Sequence, residues 1–236
     1  MIYPAIRKTL TNIIFFCFLG LSTYAQKTEI NFNTYTTFFG FHGNGTTTES
    51  YINSNQMTQV DSTFNVYGKD GSFSYAIELQ SQRITKRKMI YGIGIAFEKL
   101  NSKVNLDSVR QIVYGRQDVL SGKTFLRNSY ITLNPFLGRR FIYSKMTLDF
   151  LLGLDVAFCE KSEEDVRAVF YNNSHRVSNI KTRPDIDYRP RVQMEGRYKR
   201  FGVLVGYSLG LTNYKQQSNM KAYSSLFRLG IGYVLK

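Results

Sequence analysis

Nine ionisable side chains carry what chemistry this sequence offers. They are Glu78, Glu98, Asp149, Asp155 and Glu195 against Arg189, Arg191, Arg197 and Arg228. Each falls on the polar face of a segment that alternates apolar and polar residues. Paired carboxylates and guanidinia at such spacing can do one of two things. They can neutralise one another as a structural network, since a buried charge is tolerated only when paired and hydrogen-bonded. Or Arg189, Arg191 and Arg197, at period two on one face, can line an anion path or an anion site near a mouth.

Other candidates are thinner. The histidines are His42 and His175. A nucleophilic triad would need Ser174 or Ser178, His175 and one of Glu163, Glu164 or Asp165 drawn together, as in acyl hydrolysis or transfer on a lipid. Nothing in the spacing enforces that, so no catalytic residue is assigned. Glu160, Glu163, Glu164 and Asp165 match no calcium-loop spacing and read as a solvated acidic loop. No phosphate loop, dinucleotide glycine pattern or Cys/His metal spacing occurs, so neither cofactor nor metal is expected.

These residues must be positioned by strands. Met146 to Cys159 places Met146, Leu148, Phe150, Leu152, Leu154, Val156 and Phe158 on one face and Asp149 and Asp155 on the other. The same two-faced pattern runs through Glu29 to Phe39, Ser72 to Ile84, Met89 to Lys99, Ser129 to Gly138, Tyr188 to Tyr198, Phe201 to Asn213 and Ser225 to Leu235. Each of these eight segments is near the ~9–11 residues of a tilted membrane strand. The connections alternate long and short, as in barrels with short periplasmic turns and longer outside loops.

The expected fold is all-β: a single antiparallel up-and-down transmembrane barrel of eight strands with long extracellular loops. Ten strands result if Met57 to Tyr67 joins the wall with another loop segment. A soluble eight-stranded barrel would carry the same faces reversed. Unbroken apolar faces and glycine-rich opposite faces favour lipid outside, because a narrow interior must be filled by side chains. Asp149 and Asp155 then become partners for arginines on the next strand. Val60 to Val66 before the turn at Gly68 to Gly71, and Val166 to Tyr171 before Asn172-Asn173-Ser174, read as hairpins. They suggest a sheet protruding beyond the membrane, whose edge can add a partner strand.

The chain's start fits export. Arg7 and Lys8 precede the apolar run Ile13 to Leu21, which is too short to span a bilayer, and small residues lead to a cut between Ala25 and Gln26. Residues 1–25 are therefore expected as a signal peptide and 26–236 as the barrel domain. The sequence holds 31 Lys+Arg and 17 Asp+Glu; without Arg7 and Lys8 the balance is 29 to 17, or +12. In an exported chain that charge points to an anionic membrane surface and not to nucleic acid. Cys17 leaves with the signal, so Cys159 stands alone and a disulfide scaffold is excluded.

Tyr24-Ala25-Gln26, the stretch Tyr130-Ile131-Thr132-Leu133-Asn134-Pro135-Phe136-Leu137-Gly138 and the closing Leu229-Gly230-Ile231-Gly232-Tyr233 carry a family resemblance. The mature chain resembles the small outer-membrane β-barrel domain proteins of Gram-negative bacteria, including the PorT-like group. That resemblance implies outer-membrane localisation, contact with outer-membrane lipid, and a closing strand read by the barrel-assembly machinery through Phe227, Leu229, Ile231 and Tyr233. The chain ends in Lys236 where the signal commonly has an aromatic residue. The resemblance also implies a structural or partner-binding role, with an envelope protein met through the extracellular loops, as in a surface or secretion assembly. The alternatives are an outer-leaflet lipid-modifying enzyme or a narrow pore.

Overall fold

The protein's computed structural model describes residues 25–55, 60–111, 115–118, 121–169, 174–181, 184–216 and 219–236. The expected signal peptide falls on residues 1–24, outside the described residues, up to its last residue, Ala25. Among the described residues there are twelve strands: β1 (Ala25–His42), β2 (Glu49–Asn55), β3 (Val60–Thr63), β4 (Asp70–Thr85), β5 (Met89–Gln111), β6 (Gly115–Asp118), β7 (Ser121–Tyr143), β8 (Met146–Val169), β9 (Ser174–Ile180), β10 (Ile186–Tyr198), β11 (Phe201–Leu209) and β12 (Tyr223–Val234).

Eight of them close a ring in the order β1, β4, β5, β7, β8, β10, β11, β12. Each pairs antiparallel with its neighbours, and β12 returns to β1 from Asn31↔Val234 to His42↔Tyr223. Val60–Thr63 does not enter the wall; it pairs with β2 above it. The ring therefore has eight strands, with Met146–Cys159 forming the lower part of the fifth. The turns 86–88, 144–145 and 199–200 share one end with Ala25 and Lys236, the first and last described residues, and there Leu235 N–H donates to Ile30 O at 2.8 Å. The opposite end is the ribbon end.

The wall is inverted relative to a water-soluble protein. Phe32, Leu79, Ile95, Leu137, Leu152, Val203 and Leu229 point outward and are exposed, while the alternate residues are buried. Aromatics crowd the outer rims: Tyr143, Tyr198 and Phe201 at the turn end, Phe73, Tyr75 and Tyr188 at the ribbon end. An apolar band between aromatic girdles, around a polar interior, is the surface of a transmembrane barrel. Lipid cannot hydrogen-bond a loose strand edge, and the closed ring leaves none at this level.

Glycine makes the interior fit. A Cβ on Gly230 would stand 2.4 Å from Thr34 O and 2.7 Å from the Tyr35 ring, so nothing larger fits there. Pro135 has no N–H to give, and the β7–β8 ladder skips from Leu133↔Val156 to Phe136↔Gly153 around it.

Three wall strands outrun the segments the alternation marked. β5 reaches Gln111, β7 starts at Ser121 and β8 continues to Val169. These ends form a sheet beyond the apolar band. β2 pairs parallel with β5, β6 pairs with β5, and β9 folds back on β8 from Val169↔Ser174 to Glu163↔Ile180. Ile52 of β2 packs with Leu106, Val109, Val166 and Ala168, giving the sheet a small core of its own. At the same end β11 stops at Leu209 instead of reaching Asn213, although Gly210 N–H still donates to Ser224 O at 2.7 Å and Leu211 N–H to Tyr188 O at 2.8 Å.

Candidate functional site

The alternation of each strand sends its polar residues into one narrow lumen. There they form three tiers of ion pairs along the barrel axis. At the turn end, Arg140 of β7 donates from Nε and Nη2 to Asp149 at 2.7 Å each, and from Nη1 and Nη2 to Glu29 at 2.9 and 2.8 Å. Arg197 joins them with Nη1 donating to Glu29 at 2.7 Å, and its Nη2 donates to Glu195 at 2.7 Å. Asp149 also lies 3.6 Å from Arg197. Gln82 adds a donor to Glu29 at 2.9 Å.

The middle tier centres on Arg191. Its Nη1 donates to Glu78 at 3.2 Å and its Nη2 to the Tyr35 hydroxyl at 3.0 Å, while the Tyr35 hydroxyl donates to Glu78 and Gln193 accepts from Arg191. In the upper tier Arg228 bridges two carboxylates. Its Nη2 donates to Glu98 at 2.9 Å and to Asp155 at 2.8 Å. Arg189 donates to the other Glu98 oxygen at 2.6 Å, and Thr132 supports it at 2.9 Å. Asp155 links the tiers, lying 3.5 Å from Arg191 and accepting from Asn134 at 2.8 Å and Ser208 at 3.1 Å.

Above these tiers the lumen is capped by aromatics. Phe39 and Phe41 of β1 pack with Tyr67, Leu100, Leu126, Tyr130, Tyr214 and Leu226. The Tyr130 and Tyr214 hydroxyls share a hydrogen bond of 2.7 Å, and Tyr214 and Ser224 both donate to Asp187 at 2.9 and 2.7 Å. The cap joins the charge network through Arg189, whose guanidinium lies over the Tyr130 ring, 5.2 Å from its centre. Phe136 and Leu151 fill the turn-end half of the interior with Ile84 and Ile90.

Chemically this arrangement neutralises and fills. Arg189 and Arg228 are among the largest fully buried side chains of the protein, and every carboxylate of the three tiers has a guanidinium within 4 Å. An eight-stranded interior is just wide enough for side chains to fill. All nine ionisable residues expected inward lie in this one network. Three further members were missed: Glu29, Arg140 and Asp187. Glu29 and Asp187 sit at or just before a strand's first alternating residue. Arg140 was assigned to a connection, although it keeps the parity of Asn134, Phe136 and Gly138.

The remaining candidates lie elsewhere. His42 is exposed at the ribbon end of β1, its ring 5.6 Å from that of Tyr223. The side chains of Ser174 and His175 lie outside the described residues. The acidic run is no solvated loop. It belongs to β8, where Glu164 is buried, accepts from Thr63 N at 2.7 Å and meets Lys181 at 2.9 Å. Asp165 points to the opposite face and is buried beneath Arg127, Arg167 and Arg176. Burial opposes its ionisation, but hydrogen bonds and charge from Arg167, Arg127 and Arg176 outweigh it and hold its carboxyl below the usual range. Cys159 is buried in the aromatic cap.

No family model and no curated protein matches the sequence. Solved structures do. The chain is similar to Ail, the attachment invasion locus protein of Yersinia pestis, solved with the heparin analogue sucrose octasulfate, at 10% identity over 88% of this chain and 97% of that one, TM-score 0.36. It is similar to Neisserial surface protein A at 6% identity over 88% and 99%, TM-score 0.39. The backbone structure of Ail in a phospholipid bilayer nanodisc aligns at 11% identity over 89% and 100%, TM-score 0.28.

Proposed function

We propose that this is an outer-membrane barrel with a sealed lumen that holds a rigid extracellular sheet at the cell surface for a protein partner. The observation that carries the reading is the extension of β5, β7 and β8 past the apolar band into a sheet stitched by β2, β3, β6 and β9. Among the described residues β9 pairs only with β8 and β3 only with β2, so each offers an open edge. An open edge recruits a strand through its unpaired N–H and C=O groups. A lumen filled by paired charges leaves that sheet as the working surface, which argues against a narrow pore.

Localisation follows from the same reading. Residues 1–25 are removed as a signal peptide near Ala25-Gln26. The short turns face the periplasm and the ribbon end faces outward. Phe227, Leu229, Ile231 and Tyr233 on β12 serve as the insertion signal for the barrel-assembly machinery; the first three point into lipid and are exposed. The resemblance to the PorT-like group favours a place in a surface or secretion assembly. No catalytic role is assigned to the protein.

Site-specific photo-crosslinking in intact cells tests the partner. A crosslinker at Ile180 on β9, which is 82% exposed, or at Phe64 beside β3 is expected to give a discrete protein adduct. The same group at lipid-facing Val203 is expected to give none. Lipid adducts alone at all three positions would end the partner reading.

A further inference from the structure

The outward facet of β7, β8 and β9 carries a feature that sealing the lumen does not need. Asp165 is buried, yet it faces away from the lumen, and three arginines converge on it. Arg127 donates to it at 2.6 Å, Arg167 through Nε at 3.2 Å and Nη2 at 2.8 Å, and Arg176 through Nε at 3.2 Å. Arg167 is held from below as well, its guanidinium 5.5 Å from the centre of the Phe125 ring. Each guanidinium carries five N–H donors, so most of their hydrogen-bonding capacity is not spent on Asp165. The three side chains remain 45%, 49% and 68% exposed. One carboxylate thus fixes three cations and leaves the cluster with an excess of two positive charges.

Its height on the barrel says what it faces. The apolar band ends on these strands at the row Phe97, Ile131 and Phe158. The next outward row is Lys99, Ser129 and Lys161, and the one above it Asn101, Arg127 and Glu163. Arg127 lies four residues beyond Ile131, about 13 Å along a strand and so roughly 10 Å along the membrane normal at the usual tilt. That is headgroup height. A cleft of about 420 Å³ opens there, lined among others by Lys99, Arg127, Arg167, Ser129, Phe125 and Glu163, whose carboxylate is paired with Lys161 at 2.6 Å. Its lining includes Tyr75, an exposed residue of the lipid-facing wall, and Ser129 is two residues from Ile131, where the apolar band ends. An amphiphile can therefore place an anionic head in the cleft and its chains on the wall.

We infer that the Arg127–Arg167–Arg176 cluster around Asp165 binds the phosphate of a lipid headgroup in the outer leaflet. Arginine forks suit phosphate oxygens because they offer paired donors in a fixed plane. Asp165 sets the planes before the lipid arrives, so less side-chain entropy is lost on binding. The inference rests on the membrane placement proposed above but not on the protein partner.

The test uses the full mature chain in phosphatidylcholine nanodiscs. The discs carry a phosphorylated glucosamine glycolipid or its dephosphorylated form, and the lipid retained on the purified protein is measured by native mass spectrometry. The wild type is expected to retain the phosphorylated form preferentially. R127Q/R167Q is expected to lose about tenfold or more of that preference, from two charge-assisted contacts. K86Q/K88Q removes the same charge from the turn end and is expected to change nothing. Asp165→Asn makes the facet more positive but frees the guanidinia; a built site weakens, whereas tighter retention would reduce the facet to plain charge and overturn the inference. Equal retention of both lipid forms, unchanged retention by R127Q/R167Q, or displacement of the lipid by inorganic phosphate alone would overturn it too. Barrel closure of each variant is checked by heat-modifiable gel migration.

Discussion

Replacing Arg228 by methionine should unbalance the barrel interior more than any single change at its surface. Arg228 is 1% exposed and bridges Glu98 at 2.9 Å and Asp155 at 2.8 Å. Without it Glu98 keeps Arg189 at 2.6 Å, but the nearest cation left to Asp155 is Arg191 at 3.5 Å. Removing one partner of a buried pair costs about 3–5 kcal/mol, since the other charge stays buried without compensation. Asp155 retains Asn134 and Ser208 as donors, so about 4 kcal/mol is a fair expectation for Arg228→Met. The double variant Arg228→Met/Asp155→Asn removes the stranded charge as well. It should recover about 2 kcal/mol of that loss, which a double-mutant cycle would report as coupling. The chain has no tryptophan, so reversible urea unfolding in vesicles is followed by circular dichroism and tyrosine emission. A loss under about 1 kcal/mol would refute the reasoning, because it is the value of a hydrated surface pair. The tiers would then stand in water and the lumen would not be sealed.

Three further outcomes follow from the wall, the packing and the ribbon. Leu152→Arg, on the lipid face of β8, should destabilise the folded barrel by about 2–4 kcal/mol in the same vesicle titration, the cost of arginine near the bilayer midplane. Gly230→Leu should fail to give the compact, heat-modifiable band, since even a Cβ there would lie 2.4 Å from Thr34 O. Asp165, held below the usual carboxylate range by its arginines, stabilises the β8–β9 hairpin above its unfolded value near ~3.9 and loses that contribution as pH falls through the lower folded value. Hydrogen exchange of the Val166 and Val177 amides should therefore quicken only below about pH 4, and Asp165→Asn should abolish that step.

The wall was legible because lipid imposes a strict rule. Every second residue from Phe73 to Leu79, or from Phe150 to Phe158, must be apolar, and its neighbours must suit a narrow polar interior. The same parity located the nine lumen charges. It failed at Arg140 and Asp187, which lie just outside the marked segments Ser129 to Gly138 and Tyr188 to Tyr198, and at Glu29, the first residue of its segment, because β7, β10 and β1 all run past those bounds. The ribbons were harder to read for a physical reason. Beyond the apolar band of β5, β7 and β8 the contrast inverts and weakens. Val104 is buried, Leu106, Val166 and Ala168 turn into the sheet's small core, Lys103, Asn105, Arg127 and Glu163 face out, and buried Ser102, Ser108 and Thr124 dilute the pattern. Their strand ends are fixed by pairing with segments distant in sequence, as β2 with β5. The Asp165 cluster depends on three strands coming together, Phe125↔Asp165 and Arg167↔Arg176, and no local pattern announces it.

The sealed lumen is tested most directly by conductance. The mature chain, inserted in a planar bilayer and checked for closed-barrel migration, is expected to pass no steady current across the ordinary voltage range. The tiers at Arg140, Arg191 and Arg228 and the cap at Tyr130 and Tyr214 block the axis. A steady open-state current from the wild-type barrel would contradict the account and return the three tiers to the role of an ion path.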